Sequence, residues 1–289
     1  MSALALPNRF ADFDAGAVSR LEAEHPAIFG PNRGAGVGWA LALAVLAYTL
    51  GSLWYFEVWK LAYASDRAWR LLSTMFVWRN MESWQYASIY GAIAQTLAMA
   101  FLGTLIAALI SLPIGFLAAR NTMPISPLRH LVRRFLDVLR GVDQLVWGLV
   151  FVRAVGLGPL AGVLAIIVSD TGTLSKLYAE AIENIDRKEV EGVRATGASP
   201  VKVVRYGYLP QVLPVFLSQW LYFFESSTRS ATVLGIVGAG GVGMIIIERF
   251  RANLFDQVAF VVLNVLVCIF VIDWLSRKVR QRFIGAAGH

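Results

Sequence analysis

The sequence predicts an all-α, polytopic helical membrane protein, and three observations carry that prediction. Of the 289 residues, 57% are hydrophobic and 16% charged, with a mean hydropathy of +0.60, far from the balance of soluble domains. The apolar residues come in runs of roughly 20, the length a helix needs to cross a bilayer. Lys and Arg fall mainly in the short connections between those runs, where topology signals sit. No soluble interior of this size would hold so much apolar surface, whereas helices in lipid satisfy their own backbone groups.

Composition narrows the chemistry as well. A net charge of +7 would point to nucleic acid in a soluble chain. Here the basic residues mark loops, so membrane lipid is the expected partner and nucleic acid is not. Cys268 stands alone inside the last apolar run and can form neither an internal disulfide nor a metal cluster. His25, His130 and His289 are far apart, without the close pairing of metal ligands. No catalytic metal is expected.

Residues 1–35 carry Asp12, Asp14, Glu22 and Glu24 among scattered apolar positions, unlike a signal peptide. They read as a retained tail with a short surface helix. Gly36 to Phe56 is the first span. Residues 60–89 mix Trp69, Trp78 and Trp84 with charges, the pattern of an aromatic interfacial segment. Tyr90 to Ala119 is the second span, with Pro113 tolerated as a kink beside a neighbouring helix. Phe135 to Val155 is the third. Gly156, Gly158 and Pro159 break it, and Leu160 to Ile182 returns antiparallel as the fourth. After a charged stretch, apolar character resumes from Tyr208 to Phe224. It continues through a glycine-rich segment at Ser230 to Ile247 and ends with Val258 to Leu275. The expectation is six spans plus one short helical or re-entrant piece before the last.

The N-terminus, residues 120–140, residues 176–205 and the C-terminal end from Arg277 together hold 18 of the 26 Lys and Arg. That side should be cytoplasmic, with both chain ends on it. The expected organisation is a tail at 1–35, a transmembrane domain at 36–282 with a cytoplasmic loop at about 183–207, and a tail at 283–289.

The loop is long and charged, yet patterned. Val190, Val193 and Gly197 are three and four apart, a small apolar stripe on one helix face. Gly197 can take the left-handed conformation that stops a helix. Ser199 then offers an N-cap and Pro200 a first helical residue. Val201, Val204 and Tyr208 continue a stripe on the second helix. Two short helices around a glycine turn make a knob suited to docking in a groove of another protein; the plainer alternative is a helical hairpin with a solvated face.

These residues also resemble a family. Glu191 lies six residues before Gly197, and Leu209-Pro210 follows it, which resembles the signature loop of ABC-importer permeases. Gly192 and Val193 replace the two usual alanines, and Gly207 replaces a usual Ile. Tyr178-Ala-Glu-Ala-Ile-Glu, Arg194-Ala-Thr-Gly-Ala-Ser, Tyr208-Leu-Pro-Gln-Val-Leu-Pro and the run Ser230 to Gly243 together look like the permease of phosphonate ABC importers, over about residues 90 to 282. The resemblance implies the type I importer permease fold, in a bacterial cytoplasmic membrane. It implies a coupling loop made by Glu191, Gly192, Arg194, Ala195, Thr196, Gly197, Ala198, Ser199 and Pro200, with Glu191 orienting the loop and Gly197 making its turn. It also implies a dimer of ATPase subunits that carry the ATP and Mg, a second permease chain and an external substrate-binding protein.

The chain itself has no Gly-Lys dipeptide, so it lacks the phosphate loop of a nucleotide hydrolase. Gly238, Gly240 and Gly243 fit a dinucleotide fingerprint behind the strand-like Val233 to Val237. A Rossmann site needs several βαβ units around it, while 46 residues follow Gly243 and they contain a membrane span. Gly235, Ala239 and Gly243, four apart, instead offer a small-residue face for close helix packing.

A small phosphorus oxyanion would need cationic or hydrogen-bonding groups along its path. Arg229, with Ser226, Ser227 and Thr228 on the preceding turn, is the first candidate, and Arg153 the second. Either Arg could instead snorkel to the interface, or pair with Glu225 or Asp170. Two other functions stay open: an importer permease for another solute such as methionine, and a stand-alone membrane enzyme or channel.

Overall fold

The computed structural model describes residues 24, 33–78 and 81–285, and nearly all of the expected N-terminal tail and residues 286–289 lie outside the described residues. The chain divides into two compact units, Met1–Arg70 and Leu71–His289. The first contains α1 (Arg33–Tyr55), apolar on every side. Its C-terminal end closes with hydrogen bonds from Phe56 N to Ser52 O and from Val58 N to Leu53 O. The amphipathic α2 (Lys60–Phe76) crosses the boundary between the units.

The second unit continues with α3 (Tyr86–Ala118), α4 (Ser126–Gly141), α5 (Gln144–Val155) and α6 (Pro159–Glu183). Then come α7 (Arg187–Ala195), α8 (Pro200–Val203), a π-helical turn (Val204–Tyr208), α9 (Leu209–Ile236), α10 (Val242–Arg251) and α11 (Phe255–Gly285). No strand occurs among the described residues, and Val233 to Ile236, strand-like in sequence, are the last turn of α9.

Four helices are long and apolar enough to cross a membrane: Gly36–Tyr55, Tyr86–Ala118, Pro159–Glu183 and Phe255–Gln281. All six expected apolar runs fall on helices, with two changes of boundary. The run from Phe135 to Val155 is not one helix. α4 stops at Gly141 and the Asp143 side chain caps α5 by accepting from Leu145 N at 2.8 Å. The 12 residues of α5 reach only about 18 Å, against a hydrocarbon thickness of about 30 Å. The runs from Tyr208 and from Ser230, expected to be separate, are joined in α9, whose 28 residues span about 42 Å.

α3 and α6 form the centre of this unit. They approach closely because small residues line their contact, as helices in lipid require. A Cβ on Gly103 would lie 2.7 Å from Ile166 Cβ, and one on Gly115 would lie 2.8 Å from Tyr178 Cβ. Tyr178 in turn stacks on Phe216 of α9 with ring centroids 4.0 Å apart. α4 climbs beside the second half of α6 in antiparallel register. Arg133 pairs with Glu183, Asp137 with Lys176, and Leu139 lies over Gly172.

Trp84 is buried, packed on Phe260 at 5.2 Å and on Trp78 at 6.2 Å. One further expectation changes. Gly235, Ala239 and Gly243 do not share one helix face, because α9 ends at Ile236 and Gly238, Gly240 and Gly241 take positive φ. Gly235 and Gly243 meet across that turn. A Cβ on Gly235 would stand 2.7 Å from Gly243 Cα, so the two helices touch at their glycines.

Candidate functional site

The hairpin at 183–207 is built from α7, a glycine turn, α8 and the π-helical turn that leads into α9. The Asp186 side chain caps α7 by accepting from Lys188 N at 2.9 Å. α7 ends at Ala195. Gly197 follows at φ +74° and donates its N–H to Arg194 O at 3.0 Å, a left-handed turn that a side chain would strain. Pro200 opens α8. Ser199 stands at the capping position, but its hydroxyl makes no capping bond there, so the backbone alone sets that start.

The base of the hairpin is a plug. Val190, Val203, Tyr208 and Val212 are buried in one apolar cluster with Leu136, Leu174 and Ile182. Gly207 explains how α7 comes so near: a Cβ there would sit 3.2 Å from Val190 Cα. Val201, expected on the buried stripe, is 77% exposed. The stripe runs through Val203, Gly207, Tyr208 and Val212 because the π turn is wider than a 3.6-residue period and shifts the phase.

Hydrogen bonds fix this plug to the helices around it. Gln211 Nε2 donates to Gly207 O at 2.9 Å and to Asp186 O at 3.3 Å, while Asp186 N donates to Gln211 Oε1 at 3.0 Å. Asn121 Nδ2 donates to Ile182 O and Glu183 O, and Arg120 N donates to Glu183 Oε1 at 2.6 Å. Arg133 joins them, from Nε to Ala118 O at 2.8 Å and from Nη2 to Glu183. The ends of α3 and α6, together with α4 and α9, thus hold the base. None of Asn121, Arg133, Glu183 and Gln211 is a sequence candidate. Two of them stood in segments singled out in the sequence, Glu183 at the end of Tyr178-Ala-Glu-Ala-Ile-Glu and Gln211 within Tyr208-Leu-Pro-Gln-Val-Leu-Pro.

The tip is free. Glu191, Gly192, Arg194, Ala195, Thr196, Gly197, Ser199 and Pro200 are exposed and Ala198 is half-buried. Glu191 has no ion pair among the described residues, and Thr196 Oγ1 bonds only Val193 O at 2.8 Å. The tip is a mixed surface of small, apolar and charged groups on a rigid stalk.

The second set of candidates does not converge on one site. Ser227 Oγ donates to Asp170 Oδ2 at 2.8 Å, both residues buried between α9 and α6. Thr228 bonds its own helix at Phe224 O. Ser226 is half-buried, and Arg153 is exposed with no ion pair among the described residues. Arg229 pairs with Glu225 on its own helix and with Asp273 on α11, each at 3.4 Å, and Glu225 also meets Arg280 at 3.4 Å. Two carboxylates therefore neutralise Arg229 and its companion cation. The Glu225 pair is one of the partners that the sequence offers this Arg.

Comparison with known proteins follows the same lines. Residues 111–285 match the family described as "Binding-protein-dependent transport system inner membrane component". The chain is 38% identical over 244 residues to HtxC of Stutzerimonas stutzeri, provisionally named a phosphite transport system permease protein, covering 83% of this chain and 85% of that one. It is 40% identical to PtxC of the same organism, "Phosphite transport system permease protein", covering 68% of this chain and 72% of that one. Among solved structures it is similar to a chain of the inward-facing MetNI methionine ABC transporter. The TM-score is 0.59 with 22% identity, covering 68% of this chain and 95% of that one. This likeness shows the type I importer permease fold.

Proposed function

Because the chain belongs to the inner membrane components of binding-protein-dependent transport systems, we propose that it is the permease subunit of an ATP-driven importer for phosphite, phosphonate or a related small phosphorus oxyanion. The phosphite permeases at 38% and 40% identity support that substrate class over methionine, since the MetI relative of Haemophilus influenzae is only 24% identical.

One observation carries the mechanical part of the reading: a hairpin whose base is plugged into four helices while its tip is free. A load on the tip moves the ends of α3, α6 and α9 as a body rather than bending a loop. The chain has no phosphate loop of its own, so ATP and Mg belong to a dimer of separate ATPase subunits. These grip the tip at Glu191 to Pro200 from the cytoplasm. A second permease chain completes the pathway, and an external binding protein delivers the substrate. Both chain ends face the cytoplasm, with the hairpin. Closure of the ATPase pair on ATP pulls two hairpins together and rotates the helices between outward and inward openings, a rigid-body switch.

Gly197→Trp places a large side chain on a positive-φ turn at the tip. It should leave membrane insertion intact and cut substrate uptake by the reconstituted complex while ATP hydrolysis continues. Normal uptake by that variant would contradict the docking role.

A further inference from the structure

We propose that the groove between α4 and the second half of α6 binds a tetrahedral phosphorus oxyanion at the cytoplasmic end of the chain. The proposal rests on the importer reading for the orientation of the groove, and on the structure for its chemistry.

The groove is a cavity of about 300 Å³, at the small end of ligand pockets. Arg120, Arg133, Arg134 and Lys176 line it against the carboxylates of Asp137 and Glu180. The pairing inside it is uneven. Arg134 and Lys176 share the single carboxylate of Asp137. Arg133 is matched by Glu183, and the Arg120 guanidinium has no ion pair among the described residues. Arg134 is also 82% exposed at its side chain and gives only Nη1 to Asp137, which leaves its other donors to an anion.

In the α9–α11 cluster, by contrast, Arg229 and Arg280 are both ion-paired, with Glu225 and Asp273. Cations in excess along a cleft with low-dielectric walls concentrate anions. Glu183 ties the groove to the hairpin, because its carboxylate accepts both from Arg133 in the groove and from Arg120 N at the hairpin base. An oxyanion at Arg133 competes with Glu183 for the same guanidinium. Occupancy of the groove therefore loosens one of the bonds that holds the base. The anion is either the transported solute on its way out or the phosphate of an acidic lipid headgroup, since both offer the same oxygens.

The test uses the full chain in nanodiscs. In phosphatidylcholine discs, methylphosphonate binding is followed by phosphorus NMR for the native chain and for Arg120→Gln/Arg134→Gln, whose two exposed side chains leave the packing untouched. The native chain should bind, and the double variant should bind about tenfold more weakly, the loss of about 1.4 kcal/mol of charge-assisted bonding. In discs of phosphatidylcholine with one-quarter phosphatidylglycerol, native mass spectrometry reads retained lipid. Retained phosphatidylglycerol that is lost in the double variant, with no methylphosphonate binding, assigns the groove to a headgroup. Equal binding by the two chains, or binding of neither probe, overturns the proposal. A complex that imports phosphonate while the two chains bind alike sinks the groove and spares the importer reading. A chain that binds in the groove but supports no ATP-driven uptake does the reverse.

Discussion

The hairpin base and the α9–α11 cluster both bring charged side chains to helix contacts, and they use them in opposite ways. At the hairpin, Arg133, Asn121 and Gln211 spend their donors largely on backbone carbonyls around an apolar plug, which leaves the charges of the tip uncommitted. In the cluster, Glu225, Arg229, Asp273 and Arg280 spend theirs on one another. The first arrangement presents a surface to a partner; the second fastens two helices of the same chain. A cation inside an apolar stretch is thus evidence for a ligand only once its neighbours have been counted.

Substitutions can break this contrast, and the largest effect should come from the cluster. Glu225→Ala leaves Arg280 without its carboxylate and Arg229 with Asp273 alone on a partly buried face, and should cost about 3 kcal/mol, read as a lowered midpoint of thermal unfolding in detergent. Rescue by Glu225→Gln to near-native stability would argue that shape rather than charge matters there. Gly207→Leu tests the plug. The Val190 backbone at 3.2 Å leaves no room, so overpacking should cost about 2 kcal/mol and should weaken coupling of ATP hydrolysis to uptake along with stability. Ser227→Ala removes the one hydrogen bond to the buried Asp170 carboxyl among the described residues, worth about 1 kcal/mol, and the double variant with Asp170→Asn should recover most of it. Arg153→Ala, exposed and unpaired among the described residues, should change stability by less than about 0.5 kcal/mol and leave uptake unaltered. A strong loss of uptake there would return Arg153 to the pathway.

The sequence makes the hairpin legible because its signals are local. Gly197, Ser199 and Pro200 stand at the turn that their backbone preferences require, and the positions of α7 and α8 follow. What it hides are effects that need a neighbour or a change of period. The π turn at Val204–Tyr208 moves burial from Val201 to Val203, and no 3.6-residue pattern shows that shift. Asp143 caps α5 and splits an apolar run that composition alone reads as one span. Arg229 reads as a candidate anion contact until Asp273, 44 residues later, is found beside it. The groove between α4 and α6 is likewise invisible along the chain, since Arg120, Arg134 and Lys176 come from three separate segments.

The account depends most on the hairpin tip being the place where a separate ATPase takes hold. With Cys268 replaced by Ser, a single Cys at Thr196 should cross-link to a Cys-bearing ATPase subunit in inverted membrane vesicles. The yield should change when ATP is added, and a Cys at the exposed Tyr222 of α9 should give no product. Failure of Thr196→Cys to cross-link in an assembly that still transports, or its labelling by an impermeant reagent from the outer face of intact cells, would contradict it.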